Sequence, residues 1–591
     1  MVMKAATRSA FRLFKKHLAR LITVIAIVAV SVGFTSGIGE VDGKINSAIG
    51  KYYASEQISD LYIKSSSPYG FTASELAYLT ERFGEENVRT SLCYEAKIYG
   101  TVTRIHCTDL TKNNVNKLSL TDGKLPSSQT EILAERGTEQ LKDYSVGDKI
   151  TINGIEYTVC GIVQSPLLIH KLNEPSYAFE GEELGAMLYM LPSLPLINDV
   201  YIKVEDCRPL GVFNGKYEKA INEVKASLAD GLDLQNATVL TIYENFGLCS
   251  LDAYADKVGI IGILFVAFFL AVTLLVVYST MSRLLDEERP QLACMKTLGY
   301  SDFETVGKYV FFVAIATVIG SALAFPIGLA LTSILYVAFG LQYEMPPFPA
   351  ADSYTYFAAS ALIIFAATVI LTLITALASV SDTPSRLLAK KAPRSGKKVL
   401  IERIGFIWNK LSFKYKSTLR NVFLFKSRFF MTVISIIGST VLIFAGLGLK
   451  DTATKVENSD SIYTVSIALT VFSAMLCALV VYNLTNINIS ERTREIATLM
   501  VLGYRDSEVT GYIFREVYVL AFIGAILGIP CGYLFLYFAF DFIDFGSVGD
   551  ITLLTYIATP LITMIFAVLS TFMLRKKILS TDMNASLKSL E

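Results

Sequence analysis

Apolar residues run through this chain in blocks too long for the core of a small domain. A helix crossing the roughly 30 Å hydrocarbon layer of a bilayer needs about 20 predominantly apolar residues. Eight stretches meet that length: Leu21–Gly39, Val258–Met281, Val306–Phe339, Tyr354–Val380, Phe429–Leu449, Ile462–Thr485, Val509–Phe540 and Thr552–Leu574. The third and seventh predict tilt or an extension beyond the hydrocarbon. The first follows a basic lead of Lys4, Arg8, Arg12, Lys15 and Lys16, as a secretory signal would. Its apolar core is longer than a usual signal core and Val28–Ser31 offers no clear cleavage site, so an uncleaved anchor is expected.

Between the first and second stretches the pattern turns to alternation and short amphipathic runs. Asp60–Ser66 reads as a strand, and Thr72 with Glu75 three residues on predicts a capped helix through Glu81. Strands are expected across Thr90–Cys107, then at Gly123–Pro126, Glu131–Ala134, Ser145–Ile152 and Tyr157–Val163. A second β-α-β unit follows as Asp199–Val204, a helix around Tyr217–Leu228, and Ala237–Ile242. The expected fold is therefore a polytopic α-helical membrane protein of eight spans with one α+β domain, itself two halves interrupted by a mostly β insertion.

Charge orients this arrangement. The segment Ser381–Arg428 holds 13 basic residues against Asp382 and Glu402, and the tail from Arg575 is basic too, whereas Lys450–Ser461 and Asp541–Asp550 are acidic or neutral. By the positive-inside rule both termini are cytoplasmic and Glu40–Lys257 lies outside. Composition agrees with a membrane protein: 52% of the 591 residues are hydrophobic and 18% charged. The 53 basic and 53 acidic residues cancel, which argues against a nucleic-acid partner.

Candidate chemistry in the outer domain is sparse. Cys93, Cys107, Cys160, Cys207 and Cys249 fall there. Unpaired buried thiols are expected from their odd number, with Cys93–Cys107 the pair if a disulfide forms. His106, beside Cys107, and His170 have no further ligand at metal-binding spacing, so no metal site is expected. No nucleophile–base constellation assembles, and Glu135, Glu182 and Glu183 read as solvated carboxylates.

The chain repeats itself. Shifted by 204 residues, LDEERPQLACMKTLGYSDFETVG from Leu285 lies on ISERTREIATLMVLGYRDSEVTG from Ile489, and 14 of the 42 positions from Glu287 to Gly328 are identical. Chance would give about three. Ser9, Arg12 and Arg20 fall on Ser417, Arg420 and Arg428, a fainter echo between the first and fifth spans. Two four-helix halves with the same orientation follow, related by an axis along the membrane normal. Gly320, Ala324 and Gly328 answer Gly524, Gly528 and Gly532, small residues on one helix face that let a neighbour approach closely. Pro326 and Pro530 sit on the same spans and should kink them. Before these spans each copy predicts a short helix, begun in the first copy by Pro290 and ended by Gly299 or Gly503 in the left-handed conformation. Glu287, Glu288, Arg289 and Lys296 mark the first helix, and Glu491, Arg492, Arg494 and Glu495 the second. Val399–Leu411, with the only Trp, suits a helix at the cytoplasmic interface.

With these residues the chain resembles the FtsX/MacB-type (type VII) permeases of bacterial ABC systems, in their fused two-half form. ERPQLACMKTLGYSDFE (Glu288–Glu304) and ERTREIATLMVLGYRDSE (Glu491–Glu508) carry the likeness, and the outer segment DGKLPSSQTEILAERG (Asp122–Gly137) with YSVGDKITINGIEYTVCGIV (Tyr144–Val163) looks like the family's periplasmic core domain. The resemblance implies FtsX-like domains at 258–380 and 462–574 and a MacB-like core domain at 40–257. A lead and first span at 1–39, a basic linker at 381–428, a fifth span at 429–449 and a tail at 575–591 complete the layout. It also implies that the charged loops, with Tyr300 and Tyr504 after the glycines, are coupling elements resting on two cytoplasmic ATPase subunits beneath a single-chain pseudo-dimer in the bacterial cell membrane. The chain has no phosphate-cradling Walker A loop, Asp42–Ile45 being the nearest decoy, so ATP and Mg act through the partner and no cofactor binds directly. The implied function is export or extraction of an amphiphilic substrate by motion of the outer domain. The alternative is a non-transporting mechanotransmitter that switches an extracellular enzyme or sensor kinase. One departure from simple members is the single large outer domain; another is Pro290–Gln291 standing where the second copy has Arg494–Glu495, so the two footholds need not be equal.

Overall fold

The structure is a computed structural model that describes residues 11–111, 114–138, 141–171, 174–212, 214–228, 236–350, 354–388, 413–424, 426–456 and 459–580. They fall into two units, one of 1–41, 257–335 and 353–591, the other of Asp42–Asp256 with Tyr336–Asp352. Among the described residues eight helices are long and apolar enough to cross a membrane.

In the helical unit the first half uses α1 (Leu18–Ser55), α4 (Phe246–Glu287), α6 (Asp302–Gln342) and α7 (Thr355–Val380). The second half repeats the plan with α10 (Lys426–Ala453), α11 (Asp460–Glu491), α13 (Asp506–Ile543) and α14 (Leu553–Leu579). Short helices α5 (Arg289–Thr297), α8 (Pro384–Leu388), α9 (Phe413–Leu424) and α12 (Thr493–Val501) lie between them. In each half the first helix is the central one. The most apolar stretch of α1 is 83% buried and that of α10 67%, against 28% for α7 and 33% for α14. Large apolar side chains on α7 and α14, such as Leu362, Ile370, Leu561 and Phe572, are correspondingly exposed, as lipid-facing positions are.

Close approach to the central helix explains the glycine stripes. A Cβ on Gly320 would stand 2.8 Å from the Ile25 carbonyl oxygen and from Val28 of α1, and one on Gly328 would overlap the Ser36 hydroxyl. In the second half, Cβ atoms on Gly524, Gly528 and Gly532 would come 2.6, 2.7 and 2.8 Å from Ile436, Thr440 and Phe444 of α10. The stripes thus seat α6 on α1 and α13 on α10. Pro326 and Pro530 lie inside α6 and α13. Buried hydroxyls tie the layers together: Ser31 to Thr273 at 2.5 Å, Thr317 to Thr368 at 3.2 Å and Thr440 to Thr563 at 3.3 Å. Asn483 of α11 donates to Thr280 of α4 at 2.9 Å, and Phe34 packs on Phe472, so the halves share one interior. The Trp-bearing stretch Val399–Leu411 lies outside the described residues.

The second unit is built on one sheet. Its strands are β1 (Leu61–Ser65), β2 (Val88–Ile98), β3 (Thr101–Thr108), β4 (Ser119–Gly123), β5 (Glu131–Glu135), β6 (Lys149–Ile152), β7 (Ile155–Gln164), β8 (Ala186–Met190), β9 (Asp199–Ile202) and β10 (Ala237–Thr241). They run in the order β10-β1-β9-β2-β3-β8-β5-β7-β4, with β6 on β7. The helices are α2 (Ala73–Phe83), capped by the Thr72–Glu75 box, and α3 (Gly215–Ser227). β1-α2-β2 and β9-α3-β10 interleave as a split β-α-β sheet of ferredoxin-like order, and β3–β8 are the inserted part. Three elements differ from the sequence reading, the strand expected at Ser145–Ile152 beginning only at Lys149. The strand expected at Gly123–Pro126 ends at Gly123, and β8 went unrecognised. All five residues of β8 are buried, so it shows no alternation.

Tyr336–Asp352 joins this unit through Lys171 N–H donating to the Gln342 carbonyl (2.8 Å), Glu344 N–H to Ile169 (2.6 Å) and an Arg136–Glu344 ion pair (2.7 Å). The expected boundary at residue 257 had left this segment with the third span.

Candidate functional site

The two short helices of the repeat lie at one end of the bundle, since Arg283 near the end of α4 reaches Glu491 at the end of α11 at 3.1 Å. Each opens with a charged residue, Glu288 or Arg492, and buries a short apolar face, Leu292–Ala293 or Ile496–Ala497. Each closes as the spacing predicts, on Gly299 at φ 85° and Gly503 at φ 82°. The amides of Tyr300 and Tyr504 donate back to Met295 and Leu499, both at 3.2 Å. These bonds satisfy helix-end carbonyls that would otherwise lack partners.

Most of the charges singled out in the sequence turn inward. Glu287 is gripped two-pronged by Arg20 at 2.5 and 2.9 Å. Glu288 is buried and holds Lys16 at 2.6 Å and His17 at 3.3 Å. These contacts keep its carboxyl down at about 2 against the opposing effect of burial. Arg289 reaches Asp286 at 3.2 Å, and Lys296 donates to the Val380 carbonyl at 2.6 Å. In the second copy Arg492 is buried against Glu516 at 2.5 Å. Arg494 and Glu495 are exposed. The charge at the equivalent positions 288 and 492 is reversed, and the partners are reversed with it.

What each copy presents outward is the turn after the helix. Leu298 is 76% exposed and Phe303 69%, while Leu502 is 69% exposed and Tyr504 51%. Tyr300 is half-buried. Exposed acids flank both turns, Asp302 and Glu304 in one copy, Asp506 and Glu508 in the other. Leu298 and Leu502 are not among the charged residues that the sequence points to, although Leu-Gly-Tyr is the identical core of the repeat.

The FtsX-like permease C-terminal family matches the chain over residues 263–384 and again over 467–583, each segment holding one short helix, its turn and the long helix that follows. Each half of the helical unit thus carries an FtsX-like permease C-terminal domain. It is a multi-pass membrane protein and a transporter subunit of the ABC permease kind rather than a catalytic enzyme. ABC permeases in general work with cytoplasmic ATPase partners. No curated protein matches this permease by sequence.

The sheet-bearing unit holds a second candidate. A cavity of about 440 Å³ lies on one face of the central strands. Alternation sends Leu92, Ile105 and Leu188 to an apolar core on the other face, and Cys93, His106 and Tyr189 to the cavity side. Register sets the cavity side in rows: Tyr62–Tyr201–Arg89, then Lys64–Asp199–Ser91–Thr108, then Cys93–His106–Tyr189. Burial pushes the Cys93 thiol up to about 12 and the Asp199 carboxyl up to about 6. Burial, with Arg104, Arg89 and Lys64 nearby, pushes His106 down to about 3. Cys93 pairs across the ladder with His106, and Cys107 with Leu92, so the two cysteines point to opposite faces and cannot be bridged. The disulfide considered between them is corrected on that ground. The reading of His106 as isolated is corrected too, because Cys93 and Asp199 meet it in space.

Glu135 is a further correction. Read as a solvated carboxylate, it is buried on β5, accepting from Ser165 N–H at 2.8 Å and Tyr189 O–H at 2.9 Å. Burial outweighs these bonds and pushes its carboxyl up to about 7. A carboxyl raised on folding keeps its proton longer in the folded state, so stability is fully present below the unfolded value near 4.5 and is lost as pH rises through 7. The loss is on the order of 3 kcal/mol. Alkylation of buried Cys160, on the neighbouring strand β7, is expected to accelerate across this window relative to Glu135→Gln. An unchanged ratio between the two proteins from pH 5 to 7.5 would contradict it.

Proposed function

We propose that this permease couples ATP hydrolysis by two cytoplasmic ABC ATPase subunits to motion of its sheet-bearing unit outside the membrane, driving export or extraction of an amphiphilic substrate. The supporting observation is the pair of exposed Leu-Gly-Tyr turns at matched positions on one end of the bundle. An exposed leucine on a rigid, capped turn with a net acidic flank, Asp302 being paired with Lys296 at 3.2 Å and Arg505 being the exposed cation of the second turn, is suited to insertion into an apolar pocket with a basic rim. Two turns in one chain call for two ATPases, which makes the chain a pseudo-dimer. ATP and Mg²⁺ then act only through the partners.

In this reading the basic segments, the short helices and both termini are cytoplasmic. The three helices α1, α4 and α6 each begin in one unit and end in the other, so they are the rods along which movement passes. The experiment is native mass spectrometry of the full chain co-expressed with its cognate ATPase. Two ATPase copies per permease chain are expected, with hydrolysis confined to the complex. One ATPase per chain in a complex of two chains, or none, would remove the pseudo-dimer.

A further inference from the structure

Three donor side chains of different kinds meet on the cavity side of the sheet. Cys93 comes from β2, His106 from β3 and Asp199 from β9, and their ligand atoms all lie within 4.8 Å of one another. Cys93 Sγ and His106 Nε2 are 3.9 Å apart. Ligand atoms in a tetrahedral zinc site, at bond lengths of about 2.0–2.3 Å, stand roughly 3.5 Å apart, so rotamer adjustments of about an ångström bring the three onto one ion.

Asp199 is the most informative member. It is completely buried, and Tyr62 O–H donates to its Oδ2 at 3.0 Å while Oδ1 has no hydrogen-bond partner. Beyond Tyr62 the buried carboxylate meets the Cys93 thiol, a weak donor, and a metal ion would complete it better. With one oxygen fixed by a tyrosine and the carboxylate within ligand reach of a thiol and an imidazole, Asp199 is placed as a metal ligand held by an outer partner. The Tyr189 ring stacks on His106 with centroids 5.5 Å apart and fixes the imidazole plane.

We propose that Cys93, His106 and Asp199 form a divalent-metal site of zinc type, with three protein ligands and a fourth position facing the 440 Å³ cavity. A thiolate, a neutral imidazole and a carboxylate form a borderline donor set that suits Zn²⁺ and leaves the loaded site without net charge. The neighbouring cations are already engaged. Arg104 is bound by Glu95 at 2.8 Å and Glu174 at 2.5 Å, and Lys64 lies 3.7 Å above the Tyr177 ring. The Arg89 guanidinium donates to the Val115 and Asn116 carbonyls, both at 2.9 Å. Tyr177 O–H is 3.4 Å from Cys93 Sγ, so the open position belongs either to water or to this phenol.

The test titrates the full-length permease in detergent with Co²⁺, whose bond to a thiolate gives a charge-transfer absorption. The protein carries serine at Cys249, Cys294 and Cys531, the exposed thiols that bind metal adventitiously. One Co²⁺ per chain with that absorption is expected, displaced by Zn²⁺. Cys93→Ser should abolish the absorption. Asp199→Asn, close to isosteric, should weaken binding at least tenfold, and Zn²⁺ should raise the thermal midpoint of the parent but not of this variant. Absence of the absorption in the parent overturns the site, as does its persistence in Cys93→Ser.

Discussion

Aspartate at both Leu298 and Leu502 is expected to strip the ATPase from this permease while leaving the permease itself folded. The two side chains are 76% and 69% exposed, so neither supports the interior, and a surface substitution there changes stability by no more than about 0.5 kcal/mol. A leucine seated in a partner's pocket is worth on the order of 2 kcal/mol, roughly thirtyfold in affinity for each turn. Aspartate adds repulsion to that loss, because Asp302, Glu304, Asp506 and Glu508 already make both turns acidic. Retention of the ATPase on the immobilised double variant, with its hydrolysis rate, is the measurement. Undiminished retention would place the footholds elsewhere. The single variants should differ, since Tyr504 stands exposed beside Leu502 whereas Tyr300 is half-buried beside Leu298. Charge reversal at Glu288 or Arg492, the charged residues that open the two short helices, answers another question. Those groups are buried in ion pairs, and reversing them injures the fold before it reaches any partner.

How far the sequence carried depends on the range of the interaction that fixes each feature. Spans, caps and the short helices are set by neighbours a few residues away, and the Thr72–Glu75 box, Pro290, Gly299 and Gly503 fall where local chemistry requires. The duplication was legible for the same reason, being a property of the string itself. Glu135 was not, because its strand lies between β7 and β8 with both faces covered, and alternation then carries no signal. The inward turn of Glu287, Glu288 and Arg492 depends on Arg20, Lys16 and Glu516, partners from other helices. Cys93, His106 and Asp199 meet only because β2 lies between β3 and β9.

The pair Arg492–Glu516 is where loss of a single partner should injure this permease most. Both side chains are about nine-tenths buried, 2.5 Å apart, beside the Arg283–Glu491 pair and a cavity of about 40 Å³, room for about one water. Removing one member of such a pair leaves an uncompensated charge, and Glu516→Leu is expected to cost about 3–5 kcal/mol. The repeat points to a remedy, since the first half has Phe312 at the position equivalent to Glu516 and keeps its charged partners on another element. Arg492→Met added to Glu516→Leu removes a buried cation left with only the exposed Glu495 at 3.7 Å and should restore most of the loss, as apolar replacements of buried ion pairs commonly do. Thermal unfolding of the four proteins in one detergent gives the coupling directly. If the double variant is as unstable as Glu516→Leu alone, the interior there is held by the Arg283–Glu491 contact between halves, and Arg492 is a bystander to it. Recovery would instead show that the cost of Glu516→Leu lies in the cation deprived of its partner, and that apolar contacts can replace the pair in seating the second short helix.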